Sequence, residues 1–470
     1  MLPTGTDECA KPAAQWLQTN HFPLLSMTKL FCNFIFGVTL LSASTRLAGA
    51  WSLEEAAKPY KGTEVSVIFL DRPGYRAIIK MLPEFEQKTG IKVKYEIVPY
   101  ESTLEKEVRD FSSNGDLTIA LVDLVWIGTF ADSDYIVPIE DLKKKFPAIF
   151  DPNFDINDFF PLLLNAFGTW NSKVYGPPFD NYSGLLFYNK QILKDAGFDK
   201  PPETWDELIN TYAPKLTKNG KYAYALQSRR GETQSCDSFM RFIWPWGGSL
   251  LDAKFKSNLL SDKSQAGLDF RQQLIKYMPP GIVDYDHSEA VNALAQGQVA
   301  MITEWSAFYS TLVDPKSSKI VDQLGVAPEP KGPDGRKPAL GGFSLAVAKQ
   351  GKDEQQAASW LFIQWATSKE KAKEYVENGG VSGRQSTYDA EITKKYPFAG
   401  PMVESWQKGV PEFRPRFAEW PQLTEIVAEV GTKMMIGSVS VKQGSEEIGK
   451  RIEDVLGKAG YYDGKKALAQ

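Results

Sequence analysis

The run VSVIFL (65–70) and the alternating run IKVKYEIV (91–98) are separated by only about twenty residues, and this spacing constrains the chain more than any other feature. Between them Ile78, Ile79, Leu82 and Phe85 recur at helical intervals, and Gly90 stands where a left-handed residue would end a helix. Strand, helix and strand in so short a stretch leave one economical topology, a right-handed crossover joining two parallel strands. The first run is short and mainly apolar, as in a buried strand. In the second, Ile91, Val93, Tyr95 and Ile97 are expected on the buried face and Lys92, Lys94 and Glu96 on the wet one. Residues 117–125 read as a third buried strand.

Strands and helices keep alternating. Thr204 followed by Glu207 is a capping box for a helix starting at Trp205. LTKNGKYAYALQ reads as a turn and an alternating strand, 290–296 as a helix, and 298–303 as a strand. GGFSLAVAK is a strand entered through glycines. Residues 357–378 read as one long helix closed by Gly379, and 422–457 as mostly helical. KGPDGRK (331–337) is a turn-rich surface loop. There are no internal repeats. The expected class is α/β, and 470 residues exceed one ordinary core, so two lobes are expected.

Apolar residues make up 43% of the chain and charged residues 24%, an ordinary globular balance. The net charge of −4 argues against a nucleic-acid partner. Residues 27–50, MTKLFCNFIFGVTLLSASTRLAGA, combine a basic start, a short apolar run and a small-residue end. The apolar run is about 12 residues, against about 20 for a spanning helix, so this is read as a secretory signal peptide cut near Ala50. Residues 1–26 read as an upstream extension, with Met27 an alternative start. Cleavage would leave Cys236 alone, with no intrachain disulfide and no cysteine-built zinc site. The expectation is an exported protein without lipid anchor, metal or cofactor.

Little in the chain supports catalysis. It has two histidines, His21 and His287, and lacks the HExxH, GxSxG, P-loop and GxGxxG patterns. His287 beside Asp284 and Asp286 reads as a surface group. Ligands of open parallel sheets bind in the loops after the strands. Those loops carry Asp71, Arg72 and Tyr75; Asp123 and Trp126; Asp180, Asn181 and Tyr182; Trp246 and Gly247; Glu304 and Trp305; Gly342 and Phe343; and later Arg384 and Arg414. Acids accept hydroxyl hydrogens, arginines and amides donate, and aromatic faces cover C–H surfaces, which is the mixture a carbohydrate or polyol requires. Asp71, Asp180 and Glu304 are read as acceptors, Arg72, Asn181 and Arg384 as donors, and Trp126, Tyr182, Trp246 and Trp305 as stacking partners. Trp205, Trp360 and Trp365 are read as core. A secreted glycoside hydrolase or lyase fits the same mixture and stays open as an alternative.

Several segments, FEQKTGIKVKYE, DLVWIGTFADSDYIVPIEDL, VYGPPFDNYSGLLFYNKQILKDAGFDKPPETWDEL, AQGQVAMITEW, LGGFSLAVAK and ASWLFIQWATSKEKAKEYVENGGVSGRQS, resemble in order the family 1 extracellular solute-binding proteins of bacterial ABC importers. The resemblance covers about residues 60 to 460. It implies a two-lobed periplasmic-binding-protein fold of type II with a ligand cleft between hinge-linked lobes. The lobes would be 61–180 with 304–344 and 181–303 with 345–470, with the chain crossing near Asp180, Thr303 and Ser344. It implies no reaction, but binding of a sugar, polyol or small glycoside and delivery to inner-membrane permease subunits backed by an ATPase. An acidic sugar, an opine or a polyamine on the same fold are alternatives. Residues 229–232 lie near further contacts of the family and lack the aromatic of maltose-binding protein, which speaks against a maltodextrin.

Overall fold

The computed structural model describes residues 51–463, so the expected extension and leader lie outside the described residues. The opening crossover forms as its pattern dictates. Strand β1 (Glu64–Phe69) pairs in parallel with β2 (Lys92–Ile97), and the helix Pro73–Thr89 joins them. That helix ends on Gly90 in the left-handed region, φ 72°. Strand β3 (Ile119–Asp123), buried along its whole length, adds to the other side of β1. A small hairpin of β4 (Thr169–Trp170) and β5 (Lys173–Val174) precedes the long strand β6 (Pro178–Asn189). The remaining strands are β7 (Tyr222–Ala225), β8 (Val299–Trp305), β9 (Leu324–Pro328) and β10 (Leu340–Val347).

Their order, β2-β1-β3-β10-β6-β8-β7 with β9 also on β6, divides into two halves. Phe343–Val347 of β10 pair antiparallel with β3, which closes the first half-sheet. The helices Asp353–Ala366 and Lys369–Glu377 return onto this half, with Phe362 edge-on to Phe85 at 5.3 Å and Lys371 bonded to Glu84. In the second half, Gly184–Tyr188 of β6 pair with β8, and Leu185–Asn189 pair with β9 on the other side. The helices Ala399–Lys408, Trp420–Met435 and Val441–Lys458 belong to this lobe, and the Trp406 indole donates to the Tyr182 carbonyl.

Strand β6 therefore begins against the first lobe, where Phe179 lies opposite Phe343, and finishes inside the second. The change of partners is marked by two backbone irregularities. Asp180 has φ 51°, and the β6–β10 register shifts between Gly341 and Phe343. The third passage runs beside the first, with the Asn181 amide donating to the Val381 carbonyl at 3.2 Å.

The pairing moves the expected crossings. Thr303 sits within β8 opposite Leu186, deep in the second lobe, so the second passage is not there but at 340–342. Ser344 is already paired in the first half, and the third passage lies near Val381. By these pairings 304–339 go with the second lobe and 345–380 with the first. The cause is local: β8 and β9 are both registered on β6, which the sequence pattern of either strand alone does not reveal. The long helix expected over 357–378 is two, interrupted where Ser368 caps the second. Tyr95 and Ile97, expected inward, stand on the edge strand nearly half exposed.

Gly342 has φ 122°, and a Cβ there would stand 2.5 Å from the Asn181 Cα. Gly342→Ala combines a disfavoured backbone with a clash at the crossing, and is expected to lower stability by about 2–4 kcal/mol. Urea unfolding of the variant beside wild type measures this; equal midpoints would contradict it.

Candidate functional site

The carboxyl ends of the first half-sheet and the crossing strands converge on a small cavity of about 10 Å³, room for about one water. The first lobe contributes Arg72 from the loop after β1, Tyr100 from the first turn of the helix Tyr100–Ser112 that follows β2, and Asp123 from the end of β3. The crossing contributes Tyr182, Gly341, Gly342 and Phe343. The second lobe contributes Thr233, Asp237, Trp305 and Arg414.

Two buried ionic groups frame this space. Arg414 grips Asp123 with both terminal nitrogens, at 2.8 and 3.1 Å, and Asp123 also accepts from the Tyr100 hydroxyl at 2.9 Å. Arg414 meets Glu232 at 3.0 Å, and the Trp420 indole donates to the same Glu232 oxygen. Burial raises the Glu232 carboxyl and Arg414 pulls it back down. On the other side, Asp237 accepts from Gln227 at 2.7 Å and from Arg241 Nε at 2.8 Å, while Arg241 also pairs with Glu329. Burial raises Asp237, and Arg241 opposes that rise. Arg241 lies over the Trp305 ring at 5.1 Å, which holds the indole in place at the cavity wall. The Asp237 Oδ1, Arg414 Nε and Tyr75 hydroxyl are buried and have no hydrogen-bond partner among the described residues.

Asp180 lies beneath this cavity. Its carboxylate accepts from the Tyr182 hydroxyl and from the Val381 amide at 3.3 Å. It rests against Gly74 in the first turn of the helix Pro73–Thr89, so tightly that a Cβ at Gly74 would collide with it. Burial pushes Asp180 from an ordinary 3.8 up to about 6, against the pull of Tyr182 and Arg72.

Of the residues singled out from sequence, Arg72, Asp123, Tyr182, Trp305, Gly342, Phe343 and Arg414 meet at the cavity. Tyr75, Asp180 and Asn181 form the layer behind it, with the Asn181 amide donating to the Phe343 carbonyl at 3.1 Å. The others are placed elsewhere. Asp71 points to solvent, its side chain 77% exposed and paired with Arg76. Trp126 is buried and stacks on the back of Tyr100 at 5.2 Å. Trp246 packs on Phe270, and Gly247 lies beside Lys263 and Asp334. Arg384 is fully buried between Phe154 and Phe159 and bonds the Thr367 and Asp155 carbonyls and Asp158, so it ties loops together. Glu304 is buried behind Trp305, bonded to that residue's amide and to His287. His287 is therefore no surface group: its ring spans Glu304 at 2.9 Å and Thr233 at 3.3 Å.

Tyr100, Thr233 and Asp237 were missed. Tyr100 follows a strand end, and the same rule that flagged Arg72 would have found it. Thr233 and Asp237 sit on a helical turn with no strand directly before it, so no local signal marks them. A wider groove of about 850 Å³, over Phe150, Phe154 and Trp360, includes none of the strand-end residues of the cavity.

Residues 71–373 match the family described as bacterial extracellular solute-binding protein. The chain belongs to this family. A probable amino-acid ABC transporter periplasmic-binding protein of Sinorhizobium fredii is 25% identical over 426 residues, covering 89% of this chain and 95% of the relative. An erythritol/L-threitol-binding protein of Mycolicibacterium smegmatis is 24% identical over 361 residues, 71% of this chain and 73% of the relative. Among solved structures, an ABC transporter solute-binding protein of Agrobacterium radiobacter K84 in complex with ribitol is 27% identical, with a TM-score of 0.76. The match covers 85% of this chain and 100% of that one. The two-lobed fold of type II periplasmic binding proteins, expected from sequence, is the fold of this solute-binding protein. The chain passes between the two lobes at β6, β10 and near Val381.

The elevated Asp180 gives a pH dependence with a definite sign. The folded protein holds this proton more tightly than the unfolded chain, so the linked stability is complete below about pH 4 and is lost as pH rises through about 6. The shift amounts to about 3 kcal/mol. Asp180→Asn fixes the neutral form, so its stability relative to wild type is expected to rise between pH 4 and 7 by up to that amount. Urea midpoints at the two pH values test this, and parallel profiles would refute it.

Proposed function

We propose that the protein binds a short polyol or small sugar between its lobes and delivers it to an ABC permease, releasing it chemically unchanged. The observation that carries this reading is the pair of unsatisfied atoms on cavity-lining side chains, the Asp237 Oδ1 acceptor and the Arg414 Nε donor. Ligand hydroxyls that donate to the first and accept from the second would satisfy what the protein leaves open. Trp305 and Phe343 offer apolar faces to the C–H surface between hydroxyls. The relatives named for erythritol and threitol and solved with ribitol support the same ligand class.

In this reading the ligand enters when the lobes part about the hinge, and closure brings Asp237, Arg414 and Trp305 against Arg72, Tyr100 and Asp123. The leader is cut near Ala50 and the mature monomer works in the periplasm.

Thermal shift and calorimetry against ribitol, erythritol, mannitol, maltose and a set of amino acids test the ligand class. A polyol at about 100 times its Kd is expected to stabilise the protein by about 2.7 kcal/mol, a rise of several degrees in Tm. Response to amino acids alone would overturn the reading, as would consumption of the polyol on prolonged incubation. Asp237→Asn keeps the shape and removes the anionic acceptor, so Kd for the responding polyol is expected to rise at least about tenfold.

A further inference from the structure

Two arginines of one short segment cross from the second lobe to the first. The segment Arg414-Pro415-Arg416 is fastened to its own lobe by the Trp244 indole, which donates to the Phe413 carbonyl at 3.3 Å, and by the Arg414–Glu232 pair. From that base Arg414 reaches Asp123 and the Tyr100 hydroxyl in the first lobe. Arg416 reaches a different part of that lobe, the carbonyls of Asn165 at 2.8 Å, Thr169 at 3.3 Å and Ala166 at 3.4 Å. Asn165 and Ala166 lie in the wide helical turn Leu164–Gly168, and Thr169 directly follows it at the start of β4. The turn belongs to the first lobe, since Ser344 donates to the Phe167 carbonyl and the Trp170 indole donates to Asp132. Pro415 fixes the backbone between the two guanidiniums.

We infer that Arg414-Pro415-Arg416 is a two-pronged clasp that closes the lobes, with one prong sensing ligand and the other not. The inference rests on the cleft being the ligand site. Arg414 lines the cavity, so an occupant touches the same side chain that bridges to Asp123. Arg416 bonds carbonyls of residues outside the cavity lining, so its contribution to closure is the same with or without an occupant. The ligand-free protein accordingly populates the closed form, and the ligand's residence time depends on a residue that never touches it. Closure driven by both prongs would be felt in the dissociation rate, because opening must break them before the ligand leaves.

Small-angle scattering of the ligand-free full protein reads the clasp directly. Wild type is expected to be compact at low salt, and Arg416→Gln to expand by about 1 Å in radius of gyration as the hinge opens. Arg416→Lys, which keeps a cation facing the same carbonyls, is expected to fall between them. With ribitol as probe, Arg416→Gln is expected to raise the dissociation rate about tenfold and leave the association rate within about threefold. Should Arg416→Gln not fold, wild type in about 1 M salt serves instead, since the half-exposed Arg416 contacts are screened and expansion is expected there too. A wild type already open at low salt, or a variant as compact as wild type, overturns the clasp whether or not any polyol binds. Failure of every polyol in calorimetry, with the scattering as expected, would instead overturn the ligand assignment and leave the clasp standing.

Discussion

Strand β6 has to satisfy the hydrogen bonds of two half-sheets with one continuous backbone, and the rest of the molecule is arranged around that requirement. A strand that simply continued would fuse the halves into one twisted sheet. Here the pairing changes at Asp180 and Gly342, where positive φ values break the ladder and redirect both crossing strands. Buried amides left over at such a break are expensive unless they find partners. Asn181 supplies them, its main-chain amide donating to Val381 and its side chain to the Phe343 carbonyl. The result is a narrow crossing whose redirected amides are paired.

The crossing also explains why the charged groups collect where they do. Loops after β1, β2 and β3 of the first lobe and the helical turns after β7 in the second must face each other across the break. Each lobe brings ions that are costly to bury singly. Asp123 is matched by Arg414 from the opposite lobe, whereas Asp237 is matched by Arg241 from its own. The first kind of pair links electrostatics to lobe position and the second kind only shapes the wall.

His287, Glu304 and Arg384 show how a polar residue near a strand end can serve the scaffold. Glu304 holds the amide of Trp305 and meets His287, which continues to Thr233. The chain of contacts positions two cavity residues from behind. Arg384 performs a similar task farther away, binding loops around Phe154 and Phe159. Residue type and position along a strand are identical for a ligand contact and for a brace; only the direction of the side chain separates them.

The amino-acid order alone determined the crossover at β1 and β2, the alternation of strands and helices, the expected two lobes and the strand ends at which Arg72, Asp123 and Trp305 stand. These follow from local periodicity and from glycine, proline and capping residues, whose effects extend over a few neighbours. The lobe membership of 304–339 and 345–380, the outward turn of Asp71, the placement of Trp246 and Gly247 away from the cavity, and the arrival of Thr233 and Asp237 at its wall were decided only by tertiary structure. Each depends on which distant strand or helix a segment docks against, as β9 does on β6, and Arg414 on Asp123 across 291 positions of chain. Packing of remote surfaces sets those partners, and no short window of sequence contains both sides of the contact.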